Sequence, residues 1–179
     1  MNNQDTKIVW VMELASPDDF RPKEAAIANM EIRQVEIDVP ELNWFLHQAV
    51  GTDYRWGGRE DWTADQWSEY IKRPGMETWV AWISGSPAGY YELQKMEDTS
   101  VEIHCFGLLP SFIGKGIGGP LLTAAVQRGW DVGANKVWLR TCSHDHPNAV
   151  TNYEARGFRV TDEMRGPPNR ERQSVIFTT

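Results

Sequence analysis

The chain has 179 residues, a formal net charge of −7, and 41% hydrophobic and 24% charged residues. That size and makeup fit one globular domain with one core and exclude collagen, coiled-coil and disordered classes. The acidic balance repels phosphate backbones, which excludes nucleic acid as a partner and mildly favours cationic small molecules, amines among them.

No apolar run approaches the roughly 20 residues needed to cross a bilayer, so no membrane partner is expected. The opening Met1-Asn2-Asn3-Gln4-Asp5 lacks the basic and apolar stretches of an export signal, so a cytoplasmic location is the expectation. The two cysteines, Cys105 and Cys142, sit in apolar, strand-like surroundings and read as buried thiols rather than a disulfide. No Cys-x-x-Cys pair calls for zinc.

Apolar alternation predicts a first strand over Ile8–Leu14, followed by a polar stretch from Ser16 to Glu24 and a second strand over Glu31–Ile37. Glu41–Val50 has helical spacing, with Pro40 at its start. Thr63 can cap a second helix that carries Trp67, Tyr70 and Ile71 and stops before Pro74-Gly75. Strands over Thr78–Ser84 and Ala88–Lys95 flank Gly85-Ser86-Pro87, which reads as a hairpin turn. A further strand, Ser100–Leu109, leads through a glycine-rich turn into a helix from Ile117 to about Val132, with Gly133 as its stop. Val137–Cys142 is the next strand, and Pro147 opens a short helix ending near Gly157. Phe158–Thr161 and Ser174–Thr178 are the last strands. The order predicts an α/β (α+β) domain spanning 1–179: a mixed, mostly antiparallel central sheet with helices on both faces and an extra N-terminal strand segment at 1–30.

The sharpest signal is Leu108-Leu109-Pro110-Ser111-Phe112-Ile113-Gly114-Lys115-Gly116-Ile117-Gly118-Gly119-Pro120, between a strand and a helix. Glycines let the backbone pass close to a bulky anion. The first helical turn has unpaired N–H groups and a partial positive charge, which together hold phosphate. Gly114, Gly116 and Gly119 formally match Gly-x-Gly-x-x-Gly. A dinucleotide site needs an acidic residue about 20 positions on, and Arg140 and Thr141 stand there instead.

With this turn and this element order, the chain from about Glu31 onward resembles the GNAT superfamily of acetyl-CoA-dependent N-acetyltransferases. Gly116 and Gly118 fill the last two fixed positions of that family's signature. Ile113 stands where Arg or Gln is usual. The resemblance implies acetyl-CoA as acyl donor, a small primary amine as acceptor, and no metal. It implies that backbone groups at Gly114, Lys115, Gly116, Ile117, Gly118 and Gly119 cradle the CoA pyrophosphate. It also implies that Phe106, Gly107 and Leu108 grip the pantetheine arm where two parallel strands splay, opposite Val137–Thr141.

The family's general base lies eleven residues before the signature, which falls on Glu102. Alternation puts Glu102, His104 and Phe106 on one face, with Ile103 and Cys105 on the other. Burial beside Phe106 should raise the Glu102 carboxyl toward the pH of use. His104 is the rival base, since imidazole titrates in the physiological range. The stretch Asp145–Phe158 resembles the family's last helix, where Tyr153, four residues before Gly157-Phe158, would donate a proton to the departing thiolate. His146 stands where the family has Asn, and Asn148, out of register, is the candidate for that cofactor contact. His144-Asp145-His146 reads as a helix-capping loop rather than a metal site. By the same resemblance Tyr54, Trp56, Trp62, Trp67 and Tyr70 wall the acceptor site, where aromatics could hold a cationic amine. The strand at Ile8–Leu14 falls outside the family layout and either extends the sheet edge or contacts a second copy in a homodimer. A non-catalytic acyl-CoA-binding module, or a partner-binding protein that kept the fold, is the alternative function.

Overall fold

A computed structural model describes residues 6–166. In chain order these form β1 (Lys7–Leu14), β2 (Met30–Gln34), α1 (Pro40–Gly51), α2 (Ala64–Ile71), β3 (Met76–Ile83), β4 (Ser86–Lys95), β5 (Val101–Leu108), α3 (Gly118–Asp131), β6 (Val137–Cys142), α4 (Ala149–Ala155) and β7 (Arg159–Gly166). Short 3-10 turns sit at Pro17–Asp19, Thr52–Tyr54 and Pro110–Phe112. The expected strand at Ser174–Thr178 lies outside the described residues.

One seven-stranded sheet runs in the order β2-β3-β4-β5-β6-β1-β7. Every neighbouring pair is antiparallel except β5 and β6. Helices cover both faces, each with its own apolar stripe. On one face α3 buries Leu121, Leu122, Ala125 and Val126 against Leu93, Val101, Ile103, Val137 and Leu139, at the i, i+1, i+4, i+5 spacing of one helix side. On the other face α1 lays Leu46 and Val50 against Val80, Tyr90 and Cys105. There α2 adds a smaller cluster of Trp67, Tyr70 and Ile71. The Thr63 cap is present as a full capping box: its hydroxyl accepts from Gln66 N–H, and the Gln66 side chain accepts from Thr63 N–H.

Three expectations change. The N-terminal strand is not the edge of the sheet. It lies between β6 and β7 and pairs antiparallel with both. Its run Ile8-Val9-Trp10-Val11-Met12 is apolar on both pleat faces, the pattern of an interior strand, and Met12 and Leu14 are fully buried. The β3–β4 hairpin turns on Ser84-Gly85, both at positive φ (49° and 83°), as a two-residue turn matched to strand twist requires. Finally, α4 starts at Ala149, after Asn148, rather than at Pro147.

Candidate active site

The strand β5 controls the site through two irregularities. Its parallel pairing with β6 covers only Val101–Ile103 against Val137–Leu139. Beyond that point the strands part, and the β5 edge from His104 to Leu108 has no β6 partner. Against β4, Glu92 pairs with Cys105 and Leu93 with Ile103, so His104 is an extra residue, a β-bulge. The bulge reverses the pleat phase. Glu102 and His104 stay on the α1–α2 face, and Cys105 joins them among the apolar residues under α1. Phe106 crosses to the α3–α4 face, where its ring lies 6.0 Å from that of Tyr153. Strict alternation put Phe106 beside Glu102; the bulge is why it is not there.

A cavity of about 860 Å³ opens along this splay. At one end stands the glycine turn. Gly114 and Gly116 have φ of 79° and 78°, and a β-carbon on either would meet nothing within 4 Å, so both backbones face open space. The N–H groups of Gly114 through Gly119 carry no hydrogen bond among the described residues. This is a row of unpaired donors at a helix start, which suits a diphosphate. The free amides and the unpaired strand edge both line the one cavity.

The carboxylate Glu102 is 4% exposed and fully engaged. Its Oε1 accepts from Arg140 Nε (3.1 Å) and Nη2 (2.8 Å). Its Oε2 lies 3.1 Å from His104 Nδ1, an ion-pair contact off the line of a straight hydrogen bond. Burial works to raise its pKa, but His104 and Arg140 outweigh burial and hold the carboxyl below its usual range. The expected upward shift is therefore reversed, first by His104 on the same strand and then by Arg140, which reaches Glu102 from β6.

From α4, Tyr153 is 6% exposed and lines the cavity. Burial, then the nearby Asp145, Cys105 and Cys142, push its phenol well above the usual value, so it is protonated at any working pH. The loop before α4 is fixed by Asp145. Its Oδ2 accepts from Thr141 Oγ1 (2.7 Å) and Cys142 N–H (2.9 Å), and its Oδ1 accepts from Trp56 Nε1 (3.2 Å). His146 Nδ1 accepts from Asn148 N–H at 3.1 Å, and its ring meets that of Tyr54 at 5.9 Å. The cluster thus ties the end of β6 to the α1–α2 loop. Among the described residues no group of three His, Cys, Asp or Glu side chains is arranged to hold a metal.

The far end of the cavity is aromatic, but its cage is filled from within. Arg59 places its guanidinium carbon 4.0 Å from the Tyr70 ring centre, 5.1 Å from Trp62 and 5.5 Å from Trp67. Beneath it lies Glu92, fully buried. Its Oε2 is 3.6 Å from Arg59 Nη1 and accepts from Tyr70 Oη, and its Oε1 accepts from Asn43 Nδ2 at 2.7 Å. Burial alone would raise the Glu92 carboxyl, but Arg59, Tyr70, Asn43 and the Cys105 thiol together bring it below its usual range.

The predicted residues gather well. Glu102, Tyr153, Phe106, Gly107, Leu108, Gly114, Gly116, Ile117, Gly118 and Asn148 all line this one cavity. Lys115 and Gly119 do not. Lys115 Nζ rests over the Phe112 ring at 5.1 Å. A β-carbon at Gly119 would meet the flexible ends of Lys23 (Cδ, 2.5 Å) and Arg156 (Nη1, 2.9 Å), away from the cavity lining. Gly107 serves packing, since its β-carbon would meet Val50 Cγ1 at 2.3 Å. Trp67 is buried behind the wall instead of forming it. Sequence reasoning missed Arg59, Glu92 and Arg140, and missed that Asp145 accepts from Trp56, Thr141 and Cys142 instead of capping α4. Arg59, Glu92 and Arg140 act through ion-pair partners distant along the chain.

Residues 42–158 match the profile of the Acetyltransferase (GNAT) family. A mycothiol acetyltransferase of Corynebacterium aurimucosum is 42% identical over 79 residues, which are 42% of this chain and 26% of that protein. The chain therefore spans about a quarter of the length of the curated relatives it matches. A GCN5-related N-acetyltransferase from Sphaerobacter thermophilus superimposes with a TM-score of 0.64 at 20% identity, covering 89% of this chain and 50% of that one. A Bacillus subtilis acetyltransferase solved in complex with CoA gives 0.58 at 26% identity, covering 74% and 78%. No helix among the described residues is long and apolar enough to cross a membrane.

Proposed function

The chain belongs to the acetyltransferase (GNAT) family, and from that premise we propose that it transfers the acetyl group of acetyl-CoA to a primary amine by direct attack. The observation that carries the reading is one cavity. It joins the free amides of the glycine turn, the unpaired β5 edge, the Glu102–His104 pair and the Tyr153 phenol. The CoA complex of the Bacillus subtilis protein supports CoA as the ligand of such a cavity.

When bound, acetyl-CoA supplies a thioester carbonyl and a sulfur that can depart. The residues of this chain do the rest. Amides from Gly114 to Gly118 hold the pyrophosphate, and the open edge from His104 to Leu108 aligns the pantetheine arm. An amine is mostly protonated at neutral pH and attacks only as the free base. Both members of the pair line the cavity; His104 is the more exposed of the two and takes the proton, and Glu102 orients it. As the C–N bond forms and the C–S bond breaks, Tyr153 Oη donates a hydrogen bond to the sulfur. Its raised pKa keeps the phenol protonated and makes full proton transfer to the thiolate unfavourable, so a hydrogen bond to the sulfur is its contribution.

The test is release of free CoA thiol from acetyl-CoA across a panel of primary amines. Release that needs both substrates and falls in His104→Ala and Tyr153→Phe upholds the reading. Saturable CoA binding with no release from any amine supports the non-catalytic module and overturns it.

A further inference from the structure

We infer that the acceptor amine also carries a carboxylate, and that Arg73 receives it beside the proton-accepting pair. The inference rests on the transferase reading above and adds the class of its acceptor. A chain of net charge −7 with an aromatic-walled pocket predicts a cationic guest. The structure removes the means of holding one: the faces of Trp62 and Tyr70 are already occupied by Arg59.

The cavity wall carries three guanidinium groups: Arg59, Arg73 and Arg140. Two have carboxylates of their own. Arg59 is matched by Glu92, and Arg140 by Glu102. Arg73 has none: among the described residues no carboxylate stands within ion-pair distance of it. Its guanidinium is nevertheless fixed. Nε donates to Tyr70 O at 3.1 Å, Nη2 contacts Met76 Sδ at 3.7 Å, and the guanidinium carbon lies 4.3 Å from the Tyr70 ring centre. The same ring is 5.8 Å from that of His104. A held, unmatched cation with spare N–H donors thus stands one aromatic ring away from the imidazole. A planar guanidinium with parallel donors matches a carboxylate better than any other common group, and the half-buried setting strengthens the pair. An acceptor with its amine at His104 and its carboxylate at Arg73 fills both demands, with several bonds between the two groups.

The test compares acetyl transfer to straight-chain amino acids, from glycine to 6-aminohexanoate, with transfer to the amide of each. The expected result is a kcat/KM at least about tenfold higher for the best acid than for its amide, the worth of one charge-assisted hydrogen bond. In Arg73→Gln that acid-to-amide ratio should fall toward one through KM, and Arg73→Lys should restore part of it. Equal or better transfer to the amides, or an Arg73→Gln variant that keeps the ratio, overturns the carboxylate assignment and leaves the transferase reading standing. Absence of transfer to any acceptor overturns the transferase reading instead. Thermal shifts of the CoA-loaded protein then decide the carboxylate: stabilisation by the acid and not its amide upholds it, and equal or no stabilisation overturns it.

Discussion

Replacing Arg59 with Met tests whether the buried charge network under the acceptor end is held by this one cation. Arg59 is 8% exposed and Glu92 fully buried, so neither group can turn to water when its partner is lost. Removing one member of a buried ion pair typically costs about 3–5 kcal/mol, because the other charge stays desolvated and unmatched. For a chain of this size each kcal/mol moves the melting point by about 2–4 °C, so the variant should melt about 6–20 °C lower near pH 8. The pH dependence carries more information than the size. In the native protein the Glu92 carboxyl is held below its usual range, so its contribution is present above the unfolded-state pKa and lost as pH falls through the folded one. Without Arg59, burial drives that pKa upward, and the penalty shrinks on acidification as the carboxyl takes a proton. The gap between native and variant should therefore narrow from pH 8 to pH 5. Adding Glu92→Gln in the Arg59→Met background should recover most of the loss, since a neutral amide needs no cation. Differential scanning fluorimetry over that pH range reads all three. A loss under about 3 °C, or a gap that does not change with pH, refutes the argument.

Glu102→Gln keeps the shape of the side chain and removes the charge that orients His104. The kcat should fall by about 10²-fold, within the range of a lost proton-transfer group, while acetyl-CoA affinity measured by calorimetry holds. Tyr153→Phe removes the donor to the sulfur and should lower kcat by about 10-fold or more in single-turnover assays, with acceptor KM nearly constant. Gly116→Ala forces a side chain onto a backbone at φ 78° and into the open space above the amides. Its CoA affinity should weaken by at least about tenfold, with roughly 1–2 kcal/mol of stability lost. Trp56→Phe deletes the hydrogen bond to Asp145, and denaturant unfolding should register about 1 kcal/mol.

Much of the fold was legible because it is written locally. The Thr63 cap, the helical stripe of α3 and the glycine turn each need only neighbouring residues to be recognised, and each stands where the pattern put it. The failures share a cause. The bulge at His104 is a register shift between β4 and β5, and no alternation pattern encodes a partner strand. Arg140 adds to His104 in lowering the Glu102 carboxyl, and does so from 38 positions away. Arg59 enters a cage whose aromatic walls, seen in sequence, looked ready for a ligand. Residue types located the site; charge partners decided its chemistry.

The place of β1 has a consequence for how the molecule is made. The strand leaves the ribosome before every other element described, yet both strands that flank it, β6 and β7, are the last two described. Val9 waits for Cys142 and Met164. Closing so long a loop is an entropic cost that must be met before its contacts form, so this half of the sheet should assemble late and slowly. Through that delay an apolar ribbon stays exposed and open to the wrong neighbour, and cotranslational handling of the segment Lys7–Leu14 becomes a determinant of yield.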